Sequence, residues 1–508
     1  MAAAVHRSAS REAPAILAVV GLTVLAAVLR IGEAGQSLYG DELWSFAAAT
    51  SGGLGDVLDF VRSDQEISPP LFASLAWLSA KAGDPDVLIR LPSLLAGVAI
   101  VPLVWLLGLR TVGHRAALVA AALAALSPFL AFYAVEARAY SVAVALSTAA
   151  TIAMLVASGR PRAPLTWGLY GLLSCAAMYA HYTVAFVLVA QLAWLLWRRP
   201  AARAAALTAN VVAAVAYLPW VPSLLDDLSS PSQDIIGSLA PFTADSLVGF
   251  TASWALGHPA KGLATFWGPG LEIVLLAGVA LGVAGAVIAL RARRDQPGRA
   301  DRTAGEGPEW EMLGLLAILA IASPAGAALV SVVGADQFLP RNLAASTPGL
   351  LLLLAAALTM GPRLLALPAT ALVVAVFAVG AIRTTGNEWG RPDIGGAAGF
   401  IEANTGPGDV VLDSVSPGGG ADLPVGRTLD LEMDEPFEKV FAVGPEAVTE
   451  AVAQAGGGRV AVVGPPFLVD GIAASPELVG SAPALERVFA GTLPTKVLIY
   501  DVPANGRG

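Results

Sequence analysis

Long apolar runs recur along the first three quarters of the chain. From Ala13 to Ile382 they are separated by short breaks that are charged or rich in Gly and Pro. Each run has roughly 18–22 residues, about the length needed to cross a hydrocarbon core of roughly 30 Å. The pattern predicts an all-α polytopic membrane protein with about 11 transmembrane helices. The predicted spans are residues 13–31, 91–109, 116–133, 141–158, 165–180, 183–198, 204–222, 270–290, 312–333, 345–361 and 364–382.

Composition supports a membrane protein. The chain is 56% hydrophobic and only 14% charged, whereas an ordinary soluble chain has about 25% charged residues. The net charge of −9 includes no dense block of Lys and Arg, so we expect no nucleic-acid partner. The one cysteine, Cys175, rules out an intrachain disulfide. The first apolar run lacks a clear cleavage site, so we interpret it as a retained helix rather than a signal peptide.

The distribution of arginine indicates how the helices cross. Loops after the even-numbered spans are basic, whereas the opposite loops hold mostly acidic, Gly, Pro and aromatic residues. Because basic loops remain in the cytoplasm, we predict a cytoplasmic N-terminus in the plasma (cell) membrane. Residues 32–90, residues 223–269 and the tail from about Arg383 then lie outside. The apolar stretch within residues 71–80 is predicted to lie in the membrane interface, with an extra half-crossing as the alternative. A full crossing is rejected, because it would invert every later loop.

The tail has a different pattern. "GDVVLDS", "GRVAVVG" and "KVLIYDV" are short β-rich runs, and "PEAVTEAVAQAGG" predicts a helix with a Gly stop. The chain is therefore predicted to have two domains, a membrane domain of residues 1–382 and a small extracytoplasmic α/β domain of residues 383–508. No Gly-rich phosphate-binding pattern follows these strands. A structural, acceptor-binding or partner-binding role is expected for the tail rather than chemistry.

Ionisable residues cluster where the predicted helices end on the outer side. Asp41 and Glu42 stand side by side in "LYGDELWSF", and Asp64 and Glu66 precede a double proline. Ionisable groups near a bilayer are costly and often mark function. Asp41 and Glu42 are either solvated charges at a helix end or the acidic centre of an active site. In the second case one carboxylate accepts a proton from an attacking hydroxyl.

A second cluster lies in "SPFLAFYAVEARAYS". Glu136, Arg138 and Tyr140 are two residues apart, so an extended segment would point all three the same way. One interpretation is a polar turn with an internal ion pair. The other is a phosphate site, in which Arg138 binds as a bidentate fork and Tyr140 is a second donor.

Three more residues lie at predicted outer boundaries. His181 and Tyr182 in "AHYT" are either packed at the interface or part of a site. Arg341 in "ADQFLPRNLAAS" opposes the positive-inside trend and therefore requires an anionic partner. A lipid headgroup and a substrate phosphate both meet that requirement, and we favour the substrate phosphate.

Several segments, taken in order, resemble one family. The chain is similar to polytopic glycosyltransferases of the C-type superfamily, close to the protein O-mannosyltransferase and aminoarabinose transferase group, across roughly residues 10–382. Ser68 stands where the family often has a histidine, which leaves open any headgroup or metal contact made there. The similar segments are "GDELWS", "SPPLFASLAWL", "RLPSLLAGVAIVPLVWLLG", "SPFLAFYAVEARAYS", "AHYT" and "QFLPRNLAASTPGL".

The resemblance implies an integral membrane glycosyltransferase. Such an enzyme moves a sugar, here a hexosyl or pentosyl group, from a polyprenyl-phosphate donor to an acceptor on the outer face. The resemblance implies Asp41 as the general base or the residue that holds the acceptor. It also implies Arg138 and Arg341 near the donor phosphate. His181 and Tyr182 are implied to line the same cavity.

An inverting displacement fits these residues. Arginines stabilise charge that develops on a phosphate leaving group, and such a leaving group needs no second carboxylic acid. Glu42 is then an auxiliary acid or an orienting partner. No metal-ligand spacing is recognisable, so no cofactor is assigned and a divalent metal stays possible. The expected partners are a polyprenyl-phosphate-linked sugar, membrane lipids and an acceptor that is a glycan, a lipid or a protein.

Two other functional classes remain alternatives. A secondary transporter would show internal repeats and charges near the middle of its spans, and the sequence shows neither. A non-catalytic membrane scaffold of the cell envelope would use its tail domain for binding, but it leaves Arg138 and Arg341 without a role.

Overall fold

Helices make up most of the chain. The computed structural model describes residues 2–63, 66–230, 240–295, 310–334, 336–414, 428–433, 438–441, 445–474 and 482–502. The helices up to residue 383 are α1 (Ala2–Ile31), α2 (Asp41–Thr50), α3 (Leu54–Val61), α4 (Pro70–Ala80), α5 (Pro85–Leu88), α6 (Leu91–Thr111), α7 (His114–Leu126), α8 (Pro128–Ala134), α9 (Tyr140–Ser158), α10 (Pro164–Ala180), α11 (Val184–Arg198), α12 (Arg203–Tyr217), α13 (Val221–Leu228), α14 (Ala244–Leu256), α15 (Leu263–Asp295), α16 (Trp310–Val333), α17 (Thr347–Met360) and α18 (Arg363–Arg383).

Each predicted span coincides with helical structure, and the protein is a multi-pass membrane protein. Within the described ranges, eight helical segments are long and apolar enough to cross a membrane, or nine if the pair α7 and α8, bent by 55°, counts as one. Helices α10 and α11 have only 17 and 15 residues, and a helix rises about 1.5 Å per residue. The prediction of about 11 crossings is therefore higher than helix length alone supports.

Small residues allow the apolar helices to approach closely. A Cβ atom added at Gly97 would lie 2.4 Å from the Ala134 Cβ, and one at Gly108 would lie 2.7 Å from the Ala117 Cβ. Such contacts matter in lipid, where no hydrophobic force drives helices together. Large apolar side chains elsewhere face outward, including Leu165 and Leu364.

Helices α2 to α5 connect α1 to α6. Prolines begin α4 and α5, at the position where a missing N–H needs no partner. Gly40 precedes α2 with φ of 60°, a conformation that glycine adopts without steric cost. Asp41 is therefore the first residue of α2, at the helix end that stabilises negative charge. Helix α4 covers the apolar stretch of residues 71–80, and its location in the membrane interface stays a prediction.

The tail folds around a mixed sheet of five strands. These are β1 (Val410–Asp413), β2 (Glu438–Phe441), β3 (Arg459–Gly464), β4 (Leu485–Phe489) and β5 (Thr495–Asp501), in the order β2-β1-β3-β5-β4. Strand β1 is parallel to β2 and β3, while β5 is antiparallel to β3 and β4. The tail helices are α19 (Ile394–Asn404), α20 (Thr428–Glu432), α21 (Pro445–Ala455) and α22 (Pro466–Ala473).

The predicted α/β character of the tail is confirmed. The three predicted strands are β1, β3 and β5, and the predicted helix is α21. The prediction did not include β2, "EKVF", or β4, "LERVF", because each is short and carries charged residues. Most of β4 is exposed, as expected for a strand at the edge of the sheet.

Candidate active site

Asp41 and Arg341 form an ion pair between residues that lie 300 positions apart. Arg341 Nη1 lies 2.6 Å from Asp41 Oδ2, and the two side chains are 28% and 40% exposed, in that order. Burial raises the pKa of Asp41, but the positive charges of Arg341 and Arg138 outweigh it and hold that pKa below its usual range. The pair therefore presents an ionised carboxylate and a guanidinium side by side at a surface that a ligand can reach.

Glu42 points away from that surface into the protein. Its side chain is fully buried. Arg90 Nε and Nη2 each donate to it at 2.8 Å, the Ala137 N–H donates at 2.7 Å, and Arg391 Nε lies 2.6 Å from Oε2. Burial raises the pKa of Glu42, and the charges of Arg391 and Arg90 lower it further than burial raises it. A carboxylate held in this way can orient its neighbours. It has no exposed surface at which to act as an auxiliary acid.

The fork of Arg138 is occupied by a protein carboxylate. Nη1 lies 2.6 Å from Glu66 Oε2, Nη2 donates to Glu66 Oε1 at 2.9 Å, and Nη2 also donates to the Ser68 hydroxyl at 3.1 Å. Nη1 further contacts the carbonyl of Asp41 at 3.4 Å. The predicted bidentate contact of Arg138 therefore goes to Glu66 in this structure, and Arg138 contributes positive charge beside Asp41.

The segment from Glu136 to Tyr140 bends and is not extended, so the spacing of two residues does not by itself point the three side chains the same way. The Arg138 N–H donates to the Glu136 carbonyl at 2.7 Å, and Tyr140 already begins α9. Glu136 Oε2 is buried and has no hydrogen-bond partner among the described residues. Burial raises the pKa of Glu136 to about 7; Arg391 opposes that rise, and the carboxylates of Glu42 and Asp41 add to it. The alternative of an ion pair between Glu136 and Arg138 is wrong, because Arg138 pairs with Glu66.

His181 lies beside the arginines. Its ring centre is 5.2 Å from that of Tyr140. Nδ1 accepts the Thr183 N–H at 3.3 Å and lies 2.8 Å from the Thr183 hydroxyl, so the neutral ring carries its proton on Nε2. Burial, and then the charges of Arg138 and Arg341, lower the pKa of His181 to about 3. His181 is therefore neutral at physiological pH and available for hydrogen bonding rather than for charge.

Tyr182 belongs to a different cluster. Its hydroxyl donates to Asp227 Oδ2 and accepts the Trp220 indole N–H at 3.1 Å. Tyr182 therefore ties the end of α10 to α13, whereas its neighbour His181 packs against Tyr140. The structure therefore joins the Tyr182 hydroxyl to Asp227 and Trp220 rather than to the neighbours of His181, and the implied role of the two residues in one cavity stays a prediction.

Two arginines of this region were missed as site residues. Arg90 and Arg391 are 0% and 8% exposed, and both bind Glu42. Arg90 begins "RLPSLLAGVAIVPLVWLLG", one of the segments that carry the family resemblance. Its position at a predicted outer helix end opposes the positive-inside trend, as that of Arg341 does, and this signal could have identified it. Arg391 lies in the connection between α18 and α19, where the sequence pattern carries no such signal.

Two predictions remain without a structural test. Asp64 lies outside the described residues. In the described part of the chain, no group of three or more His, Cys, Asp and Glu side chains is arranged to hold a metal ion. Whether a divalent metal takes part therefore stays a prediction from sequence.

Comparison with known proteins gives one match to a family. Residues 68–224 match the family model described as dolichyl-phosphate-mannose-protein mannosyltransferase. This range includes Arg138 and His181 and excludes Asp41 and Arg341. No curated protein matches the chain by sequence.

Similar folds occur in solved structures. ArnT from Cupriavidus metallidurans in the apo state has a TM-score of 0.52 at 15% identity, covering 96% of this chain and 98% of that one. ArnT bound to undecaprenyl phosphate has a TM-score of 0.50 at 15% identity, with 97% and 99% covered. An Archaeoglobus fulgidus oligosaccharyltransferase tethered to an acceptor peptide has a TM-score of 0.52 at 12% identity, with 89% and 69% covered. The chain thus has the fold of the C-type polytopic glycosyltransferases, as the resemblance implied.

Proposed function

We propose that the protein is an integral membrane glycosyltransferase that uses a polyprenyl-phosphate sugar. It transfers the sugar to an acceptor hydroxyl by inverting displacement on the extracytoplasmic face. The ion pair of Asp41 with Arg341, with Arg138 beside it, is the observation that carries this proposal. A carboxylate and a guanidinium lie together near the ends of apolar helices, and this is where we propose that the lipid-linked donor binds.

Arg341 is the proposed ligand of the donor phosphate. Among the described residues its only hydrogen bond is to Asp41, so most of its five N–H donors are available. Arg138 is tied to Glu66 and Ser68 and adds charge without leaving its place. ArnT, which shares the fold, has been crystallised with undecaprenyl phosphate, a ligand of the class proposed here.

Donor binding is proposed to activate Asp41. In the free protein Arg341 holds the carboxylate in its ionised, weakly basic form. A phosphate that binds Arg341 adds a negative charge nearby and competes for the guanidinium, so the pKa of Asp41 rises. A carboxylate with a higher pKa is a better general base. Asp41 is then strongest as a base once the donor is in place.

The proposed chemistry is a single displacement. The acceptor oxygen forms a bond to the anomeric carbon while the bond from that carbon to the phosphate oxygen breaks. The hydroxyl proton goes to Asp41, and the electron pair of the broken bond leaves on the polyprenyl phosphate. Arg341 and Arg138 stabilise the charge that develops there. No acid is needed to protonate the leaving group.

Substitution of Asp41 tests the proposal. Purified protein in lipid nanodiscs is given a panel of radiolabelled polyprenyl-phosphate sugars with glycan, lipid and peptide acceptors. We expect wild-type transfer and at least a 10²-fold loss in Asp41→Asn, since a general base contributes about 10²–10⁴-fold. Asp59→Asn is the matched control, because Asp59 is 80% exposed on α3.

Two results would contradict the proposal. Wild-type rates in Asp41→Asn would exclude Asp41 as the base. No transfer by the wild type with any donor of the panel would favour a transporter or a scaffold. The orientation is tested with a reporter that is active only outside the cytoplasm, fused after residue 508. We expect this fusion to be active, because the tail domain is predicted to be extracytoplasmic.

A further inference from the structure

The carboxylate next to the proposed base is held from both halves of the chain. Glu42 follows Asp41 in the first turn of α2. It binds Arg90 from the start of α6 and Arg391 from the connection that leads to the tail domain. Since Asp41 and Glu42 share one helical turn, whatever fixes Glu42 also fixes the backbone that carries Asp41.

Arg90 fixes the segment that leads to α2. Nη1 donates to the carbonyls of Ala34, at 2.8 Å, and Gln36, while Nη2 donates to that of Ser37 at 3.1 Å. The remaining bonds of Arg90 go to Glu42. All five N–H donors of Arg90 are therefore used within residues 34–42. This half of the arrangement lies wholly in the membrane domain.

Arg391 belongs to a short segment that contacts both domains. We call residues 390–395 the domain link. On the membrane-domain side, the Arg391 N–H donates to Gln36 Oε1 at 2.9 Å and the Gly395 N–H donates to the Ser37 hydroxyl at 3.0 Å. The Arg391 guanidinium also lies 5.4 Å from the centre of the Phe132 ring. The domain link is therefore attached to the same residues that precede Asp41.

The other side of the domain link is attached to the tail sheet. The Thr492 N–H donates to the Gly390 carbonyl at 2.8 Å, and the Asp393 N–H donates to the Ala490 carbonyl at 3.2 Å. Both partners lie in the turn between β4 and β5. A continuous set of contacts therefore runs from the tail sheet through Arg391 to Glu42.

We propose that Arg391 is a positioning residue for Asp41, acting through Glu42, and that the tail domain holds the proposed base in place by way of the domain link. This inference rests on the function proposed above. It gives the tail domain a role in the reaction that requires no ligand site of its own. Arg391 is 8% exposed and bound to Glu42, so the proposal gives it no contact with donor or acceptor.

Kinetics of Arg391→Gln test the inference. We expect kcat to fall about 10- to 100-fold, the loss associated with a displacement of about 1 Å at a reacting group. The donor KM and the Kd for free polyprenyl phosphate stay within twofold of wild type, because Arg341 and Arg138 are unchanged. Arg391→Lys keeps a positive charge beside Glu42 and is expected to recover part of the kcat that Arg391→Gln loses. Arg487→Gln is the control, since Arg487 is exposed on β4.

The outcomes separate positioning from a general loss of structure. Wild-type kcat in Arg391→Gln would overturn the inference. So would a fall in kcat that comes with an equal rise in the Kd for polyprenyl phosphate, because that pattern indicates damage to the whole site. If Arg391→Gln cannot be purified as a folded protein, Ser37→Ala decides.

Ser37→Ala removes one hydroxyl, which accepts the Gly395 N–H and also hydrogen-bonds the side chain of Glu432 in the tail domain. Both lost contacts join the segment before Asp41 to the tail domain, and no group at the proposed donor site is changed. Unchanged kcat in that variant would overturn the inference, and a several-fold fall with unchanged donor KM would support it. Failure of the proposed function gives a different result, because the wild type would then transfer no sugar from any donor. Failure of the inference is seen only in the variants.

Discussion

Removal of Arg341 is the most informative change at the proposed site. Arg341→Gln keeps the size and some hydrogen bonding of the side chain and removes its charge. In the free protein it leaves Asp41 with the charge of Arg138 alone, so the pKa of Asp41 rises. In the reaction it removes the group proposed to stabilise the departing phosphate. One substitution therefore changes both the base and the leaving group.

The expected effects on stability and on rate differ widely. The ion pair of Arg341 with Asp41 is 28% and 40% exposed, and such pairs contribute only about 0–1 kcal/mol to stability. Loss of a donor that stabilises transition-state charge costs about 10²–10³ in kcat. We therefore expect a large loss of rate in a protein that unfolds at nearly the wild-type temperature.

The pH profile gives a second expectation with a definite sign. The acid limb of kcat/KM reports the base of the free enzyme. Because Arg341 lowers the pKa of Asp41, the limb moves to higher pH in Arg341→Gln. Donor kcat/KM is measured between about pH 4 and 9 with the acceptor well below saturation, so that the free enzyme is the reference state. The control is Arg62→Gln, whose arginine is 49% exposed. An unmoved acid limb, or a rate within about threefold of wild type, would refute the reasoning.

Two further predictions concern the buried carboxylates. Glu42→Gln leaves two buried arginines without their counter-charge and is expected to lower the free energy of unfolding by about 3–5 kcal/mol. The exposed control Glu486→Gln is expected to change it by less than about 1 kcal/mol. Similar denaturation curves for the two variants would contradict this prediction. Glu136 has its pKa raised to about 7, so its neutral form supports folding below about pH 4.5 and that support is lost as the pH rises toward 7. Relative to Glu136→Gln, the free energy of unfolding of the wild type should fall by up to about 3 kcal/mol between these two pH values. Parallel pH profiles of thermal unfolding for the two proteins would contradict this prediction.

Hydrophobic periodicity predicted the parts of the fold that are set locally. The apolar runs correspond to helices, and the strands β1, β3 and β5 follow from short β-rich runs. The number of crossings was less predictable, because α11 is apolar but only 15 residues long. Apolar composition predicts which segments form apolar helices, but it is a poor guide to the length of each helix.

For the candidate site, the sequence indicated which residues lie close together but not which side chains bind each other. Asp41, Arg138 and Arg341 do lie together, joined by contacts at 2.6–3.4 Å. The sequence held no signal that Arg138 would pair with Glu66, or that Glu42 would pair with Arg391. Those choices depend on which helix ends become neighbours, and residue spacing within one segment carries no information about that.

The contacts of Glu42 also impose an order on biosynthesis. Arg90 is synthesised 48 residues after Glu42, so the segment before α2 can close early, as soon as α6 has entered the membrane. Arg391 is synthesised only after α18, and its anchor in the β4–β5 turn is synthesised later still. A chain that stops short of the tail therefore lacks the last support of α2. Nascent and truncated molecules that lack the β4–β5 turn are expected to be inserted in the membrane and yet to transfer sugar more slowly, because their Asp41 is less firmly held.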